Sequence, residues 1–274
     1  MPTWSTRELA DGSKVAHSGV EFGCVHPKHP EFQEKITLVR NALGLDVVIA
    51  QKLGFNAEVS IVNSLAMLEK HFEGFYRTHM ASDGVLINKL LRPNTGVMVM
   101  NADCPIVKMT AGNCIVVLHC GLNNLDVPIG LSIVESGIQT LIDMGFDPKD
   151  ISVDIGEAAL KCCYGFEIEN NPHHEKNLQR ARSLQNAYGA DVISEIEKGP
   201  RAGGLGFDMA LIAANQAEIF GIDKITMSDN CTSCAGTEIG QISVGSYYSN
   251  IRADRDAERT QGFGERNMTL VHWS

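Results

Sequence analysis

The chain has 274 residues, 44% of them hydrophobic and 20% charged, with a formal net charge of −10. That balance argues against a general nucleic-acid or anionic-membrane surface, which needs clustered cations. No apolar run approaches about 18 residues, so no membrane span is expected. The hydrophobic share supports a sizeable core, and no linker, repeat or low-complexity stretch divides the chain. One domain over residues 1–274 is therefore expected. The opening Met1-Pro-Thr-Trp-Ser-Thr-Arg7 lacks the charged-then-apolar pattern of a signal peptide, so a soluble cytoplasmic protein is expected.

In chain order, Val15 to Cys24 suits an opening strand, and His26-Pro-Lys-His-Pro30 breaks it. Pro30 to Gly44 reads as a helix, because Phe32, Ile36, Val39 and Leu43 recur at helical spacing and Gly44 suits a C-cap. Glu58 to Val62 reads as a strand, and Ser64 to Phe72 is mixed. Asp83 to Ile87 and Gly96 to Met100 are further strands, joined by a turn at Arg92-Pro-Asn-Thr95. Ile129 to Met144 has helical periodicity and stops at Gly145. Ile151 to Ile155 is a strand. Asn171 to Tyr188 is a polar helix, opened by Pro172 and closed by Gly189. Gly199 to Gly206 is a loop without the strand–turn–helix frame of a dinucleotide fingerprint. Asp208 can cap a helix through Phe220. Lys224 to Met227 and Met268 to Trp273 are the last strands. Strands and helices mix without a strict βαβ repeat, which predicts an α+β fold with mixed sheets flanked by helices.

The most informative stretch is Gly96 to Gly121. Two apolar, β-branched runs, Ile106 to Met109 and Cys114 to Leu118, flank Thr110-Ala-Gly-Asn113, a hairpin signal. With Ala111 and Gly112 as the two turn residues, Cys104 faces His119, and their Cβ atoms should be roughly 4.5–5.5 Å apart. A thiol and an imidazole at that distance can share a metal or form a thiolate–imidazolium pair. The plainer alternative is two satisfied core residues, and a three-residue loop would place them on opposite faces.

Eight cysteines in a chain of this kind predict reduced thiols rather than a disulfide framework. Cys231-Thr-Ser-Cys234 is a lone CxxC, which reads as two loop or strand-end thiols. Cys162 and Cys163 are vicinal and would point to opposite faces if extended, so spacing assigns them no chemistry.

At Asn101-Ala-Asp-Cys-Pro105 and Val117-Leu-His-Cys-Gly121 the chain resembles the laccase-domain family. Its members were first described as multicopper polyphenol oxidases and are regarded as purine nucleoside phosphorylases with adenosine deaminase side activity. The family patterns there are T-A-D-C-x-P and H-A-G-W-R-G. Asp154 to Glu167 is similar to the family's I-G-P-x-I-x-x-C-C-Y-E-V stretch. Phe207-Asp-Met-Ala210 with Asn215 is similar to its D-L-x-x-A-N helix. Asp229-Asn-Cys-Thr232, Ser249-Asn-Ile-Arg252 and Gly264 to Val271 resemble its later pieces in order. The resemblance implies a laccase-domain fold related to that of the cytotoxic necrotizing toxins.

The resemblance also implies a zinc site built from a Q-V-H-G histidine, the A-D-C cysteine and the H-A-G-W histidine. Cys104 and His119 carry over. Ile61-Val-Asn-Ser64 is taken as the Q-V-H-G counterpart, which puts Asn63, a poor zinc ligand, at the third position. His79, or His71 nearby, could supply the third donor from a loop; two surface histidines is the alternative. The family's tryptophan and arginine are replaced by Leu122 and Asn123-Asn124.

Three mechanisms compete. In the first, zinc on Cys104, His119 and His79 assists purine nucleoside phosphorolysis. Arg252, Arg255 or Arg266 would then meet phosphate, with Asn63 at the substrate. In the second, Cys104 is a metal-free nucleophile and His119 its base, oriented by Asn63 or Asp103, as in a hydrolase or deamidase. In the third, the chain binds a nucleoside without turnover. The first and third expect a small-molecule nucleoside, the first with phosphate, and neither nucleic acid nor membrane is expected as partner. The multi-histidine clusters of true copper laccases are absent.

Overall fold

The computed structural model describes residues 4–18, 22, 24–91, 93–167, 172–196, 202–233 and 266–273. Its strands open with β1 (Trp4–Glu8), β2 (Lys14–Ser18), β3 (Val47–Ala50), β4 (Val59–Val62), β5 (Leu68–Phe72), β6 (Phe75–Thr78) and β7 (Gly84–Asn88). There follow β8 (Thr95–Asn101), β9 (Ile106–Ala111), β10 (Cys114–His119), β11 (Ser152–Ile155) and β12 (Gly165–Phe166). The last are β13 (Ile193–Glu195), β14 (Leu205–Phe207), β15 (Lys224–Met227) and β16 (Asn267–Trp273). The helices are α1 (Phe32–Ala42), α2 (Leu122–Leu125), α3 (Ile133–Asp143), α4 (His174–Tyr188) and α5 (Met209–Ile219). None is long and apolar enough to cross a membrane.

Two large mixed sheets and a small one form. The first has the order β1-β2-β16-β8-β3-β6-β5, the second β15-β11-β9-β10-β7-β4, and the third β12-β14-β13. The alternation of side chains along the central strands explains the layering. Ile115 and Val117 of β10 meet Val97 and Val99 of β8 in a core between the two large sheets. Val116 and Leu118 point the other way, into a core with Ile133 and Ile138 of α3 and Ile212 of α5. Met98 and Met100 of β8 pack with Ile36 and Val39 of α1 on the opposite flank. The two large sheets are thus stacked between helical layers, and their central strands read as unbroken apolar runs because both faces are covered. Local caps reinforce the helices: Ser132 and Glu135 form a capping box on α3, and the Asp208 carboxylate accepts from the Leu211 N–H on α5.

The fold is α+β with mixed sheets, as the sequence predicts, although several elements differ in extent. Ser64 to Phe72 resolves into a single 3-10 turn followed by β5. Part of the loop expected over Gly199 to Gly206 is the start of β14. The hairpin register is shifted by two residues from expectation. Cys114 pairs with Ala111 and His119 with Ile106. Gly112, at φ 52°, takes the left-handed turn position that alanine would resist, so Gly112 and Asn113 form the turn. A shift of two keeps every side chain on its predicted face.

One buried charge cluster ties the sheets together. Lys108 on β9 sits directly across from Asp154 on β11, and its Nζ lies 2.5 Å from the carboxylate. Arg7 of β1, from the other large sheet, binds the same carboxylate, with Nη2 2.7 Å from Oδ1. Burial works to raise the Asp154 pKa, but Lys108 and Arg7 outweigh it and hold it below the usual value. A depressed carboxylate contributes stability above its unfolded pKa of about 3.9 and loses it as pH falls through the folded value. Asp154→Asn leaves Lys108 buried opposite a neutral group, and should lower the unfolding free energy by about 3–5 kcal/mol near pH 7. Urea titrations of both proteins check this. The gap should close on acidification, and an equally stable variant at pH 7 would refute the assigned role.

Candidate active site

Cys104 lies in the loop just before β9, and His119 is the last residue of β10. The two converge without being ladder partners. Their segments are joined by the Cys120 N–H donating to the Pro105 carbonyl at 3.0 Å. The Asn101 side chain donates to the Cys104 carbonyl at 3.1 Å and holds the loop. A Cβ placed on Gly121 would lie 3.6 Å from Cys104 Sγ and 3.6 Å from His119 Cε1, so both side chains border one small space.

Asp83 completes the arrangement. Its side chain is fully buried, and its Oδ1 accepts from His119 Nδ1 at 2.9 Å. Its other oxygen accepts the Asn56 N–H at 2.7 Å, and its backbone carbonyl accepts the His119 N–H at 2.8 Å. With Nδ1 so engaged, the rest of the ring borders the space it shares with Cys104 Sγ. Burial works to lower the His119 pKa, but attraction to Cys104 and the hydrogen bond to Asp83 prevail and raise it to about 9. The imidazolium is therefore the resting form at neutral pH.

Cys104 and His119 open into a cavity of about 410 Å³. Phe55, Tyr164 and Phe166 supply aromatic walls, and Lys176 and Arg180 of α4 supply cations. Arg180 is held by Asp126 at 2.6 Å. Phe55 is unusual twice over: the residue is 75% exposed, and its backbone has φ 53°. A bulky residue in the left-handed region is strained, and such outliers concentrate at functional sites. Its ring meets the His119 ring edge-on, with centroids 6.4 Å apart.

The other sequence candidates lie elsewhere. Asp103 points away from the cavity: its Oδ1 accepts from Thr232 Oγ1 at 3.2 Å, and its carbonyl accepts the Ala159 N–H. It anchors the loop rather than orienting the imidazole. Asn63 follows the far end of β4. Val59, not Asn63, is level with Gly84, so Asn63 is roughly 13 Å further along at the usual strand rise. It lines a different cavity, with Ile49 and Thr95. His79 and His71 are exposed and do not line the Cys104 cavity. The Arg266 backbone is bonded to Cys24 and Val25, away from the cavity. Arg252 and Arg255 lie outside the described residues. Asp83 had one sequence signal, an aspartate opening an apolar strand.

The segment beside Asp83 is Gln51-Lys52-Leu53-Gly54. Gln51 Nε2 donates to the Ser82 carbonyl at 3.2 Å, and the Lys52 carbonyl accepts the Ser82 N–H. A Cβ on Gly54 would come within 2.8 Å of the Ala81 backbone, so glycine is required there. Gln51 and Gly54 thus brace the Asp83 segment, and this stretch matches the first and last residues of Q-V-H-G better than Ile61 to Ser64 does. Its third residue is Leu53, which offers no donor. Among the described residues no third donor lies close enough to share an ion with Cys104 and His119, although His173 lines the same cavity, so these residues do not by themselves make the three-ligand zinc site expected. Among the described residues, the group of three that could hold a metal is Cys162, Cys163 and Cys231. These two cysteine segments converge because residues 161–163 form a turn rather than an extended strand.

A family model described as "Multi-copper polyphenol oxidoreductase laccase" matches residues 27–252. The chain belongs to this family. The Bacillus licheniformis hypothetical protein YfiH superposes with a TM-score of 0.73 at 18% identity, over 100% of this chain and 97% of its own. A Neisseria meningitidis protein of family DUF152 gives 0.66 at 15% identity, over 99% of each chain. YlmD from Geobacillus stearothermophilus gives 0.66 at 15% identity, over 96% of this chain and 91% of its own. At these identities the likeness establishes the laccase-domain fold. The comparison with curated proteins finds no match.

Asp83→Asn removes the charge facing Nδ1 and should bring the His119 pKa down from about 9. Imidazole resonances followed by NMR through a pH series test this. An unchanged midpoint would show that Asp83 does not hold the proton.

Proposed function

We propose that this protein is a nucleoside-directed enzyme of the purine nucleoside phosphorylase kind. Adenosine or inosine and phosphate are its substrates. The reading rests on one observation: the Asp83–His119–Cys104 chain ends at a cavity with aromatic walls and cations. A planar base stacks on Phe55, a platform that every nucleobase face can use. Lys176 and Arg180 draw phosphate to the opposite wall. A phosphate oxygen attacks the anomeric carbon, the glycosidic carbon–nitrogen bond breaks, and the base leaves with the bonding electrons. His119 delivers its proton to the departing base, Asp83 holds the ring in position, and the Cys104 sulfur keeps the ring charged. No step is routed through a metal, because among the described residues no third donor lies within sharing distance of Cys104 and His119. The net charge of −10 favours a free nucleoside over nucleic acid or a membrane as partner.

A specific observation supports a second reading. Cys104, His119 and Asp83 follow the order nucleophile, base, orienting carboxylate. The same centre could then attack an amide carbon, expel ammonia or an amine protonated by His119, and hydrolyse the resulting thioester.

Phosphate-dependent release of base from adenosine or inosine should fall roughly 10²–10⁴-fold in His119→Ala. Phe55→Ala should raise KM about tenfold with a smaller effect on kcat. Activity should decline as pH rises through about 9, where His119 loses its proton. Nucleoside binding without any turnover would overturn the proposal. A thioester adduct on Cys104 with an amide substrate, detected by mass spectrometry, would favour the second reading.

A further inference from the structure

A separate group of sulfurs lies outside the cavity. Cys162 and Cys163 sit in the turn before β12, and Cys231 lies beyond β15. Their sulfurs all fall within 4.8 Å of one another, and those of Cys162 and Cys163 are 3.8 Å apart. Two thiolates on a tetrahedral zinc, each at about 2.3 Å, are roughly 3.8 Å apart, so one edge of the triangle already has metal-site dimensions. Cys163 and Cys231 are buried, and Cys162 is half-buried, which leaves an entry path on its side.

The backbone around the group is well tied. The Leu160 N–H points at Cys231 Sγ at 3.5 Å, as outer partners commonly do at thiolate sites. Ala158 and Cys231 form a β-bridge, and the Thr232 N–H donates to the Ala158 carbonyl at 2.8 Å. Three sulfurs from two remote segments are thus held at one point by main-chain bonds.

We infer that Cys162, Cys163 and Cys231 form a binding site for one thiophilic closed-shell cation, of which zinc is the test case. Three soft thiolates select such an ion over magnesium, calcium or manganese. Among the described residues three sulfurs face the ion, and water reaches it from the half-buried Cys162 side. Each metal–sulfur bond forms as a thiol gives its proton to solvent, so uptake releases protons and weakens in acid. The site is distinct from Cys104 and His119 and does not depend on the nucleoside reading. It connects to that centre through structure: Thr232 binds the Asp103 carboxylate, and Asp103 precedes Cys104.

The test uses the full chain, reduced, stripped with a chelator, loaded with zinc alone and freed of excess ion. Elemental analysis should give one zinc per chain in the wild type and in Cys104→Ala. Cys162→Ser and Cys231→Ser should each lose it. Cys162→Ser is the decisive variant because the half-buried position tolerates the change, and thermal unfolding without metal checks its fold. Cobalt loading should give a sulfur-to-cobalt charge-transfer band that disappears in the same variants. Reduced protein that takes up no zinc would overturn the inference. So would zinc that is lost in Cys104→Ala but retained in Cys162→Ser.

Discussion

The candidate site depends on one buried charge interaction. Asp83 is fully buried, and a carboxylate taken out of water is costly unless it is matched. It is matched by His119 Nδ1 and by the Asn56 N–H, while the His119 N–H donates separately to the Asp83 backbone carbonyl. These contacts join the residue before β7 to the last residue of β10, so the ring cannot turn without exposing an unpaired charge. The sulfur of Cys104 then borders a ring whose direction is already set. The same charge logic recurs behind the site, where Asp154 joins Lys108 and Arg7 across the two large sheets.

The two sides of the site come from different layers. The hairpin and β7 are buried on both faces and give the reacting side chains a fixed base. The opposite wall comes from Tyr164, Phe166 and α4, which belong to the smaller sheet and the surface. Phe55 stands at the mouth on a strained backbone. A scaffold of this kind keeps the Asp83–His119–Cys104 group and the aromatic wall on separate elements.

The thiol group shows how one loop can serve two ends. Residues 158–160 and 231–232 hold the Asp103 loop by hydrogen bonds on one side and gather sulfurs on the other. Their shared strand bridge explains why two segments of the family pattern, the vicinal cysteines and the C-T turn, come together in space.

Local pattern carried much of the architecture. Helical spacing marked α1 and α3, capping residues marked α4 and α5, apolar β-branched runs and turn chemistry marked the hairpin, and Cys104 and His119 followed from it. These are properties of a short window, where side-chain period and turn residues act directly. The turn residues themselves were misplaced, because alanine and glycine are adjacent and only glycine takes the left-handed position readily. Asp83, Leu53 and Phe55 were not legible as site residues. Asp83 is 36 residues from His119, and sheet order brings them together. Asn63 looked plausible because strand ends resemble one another in sequence, yet the parallel register of β4 and β7 sends it to the opposite end. Burial preference is encoded residue by residue; which remote groups share a buried charge or a sulfur triangle depends on how whole strands align, and no short stretch of chain contains that information.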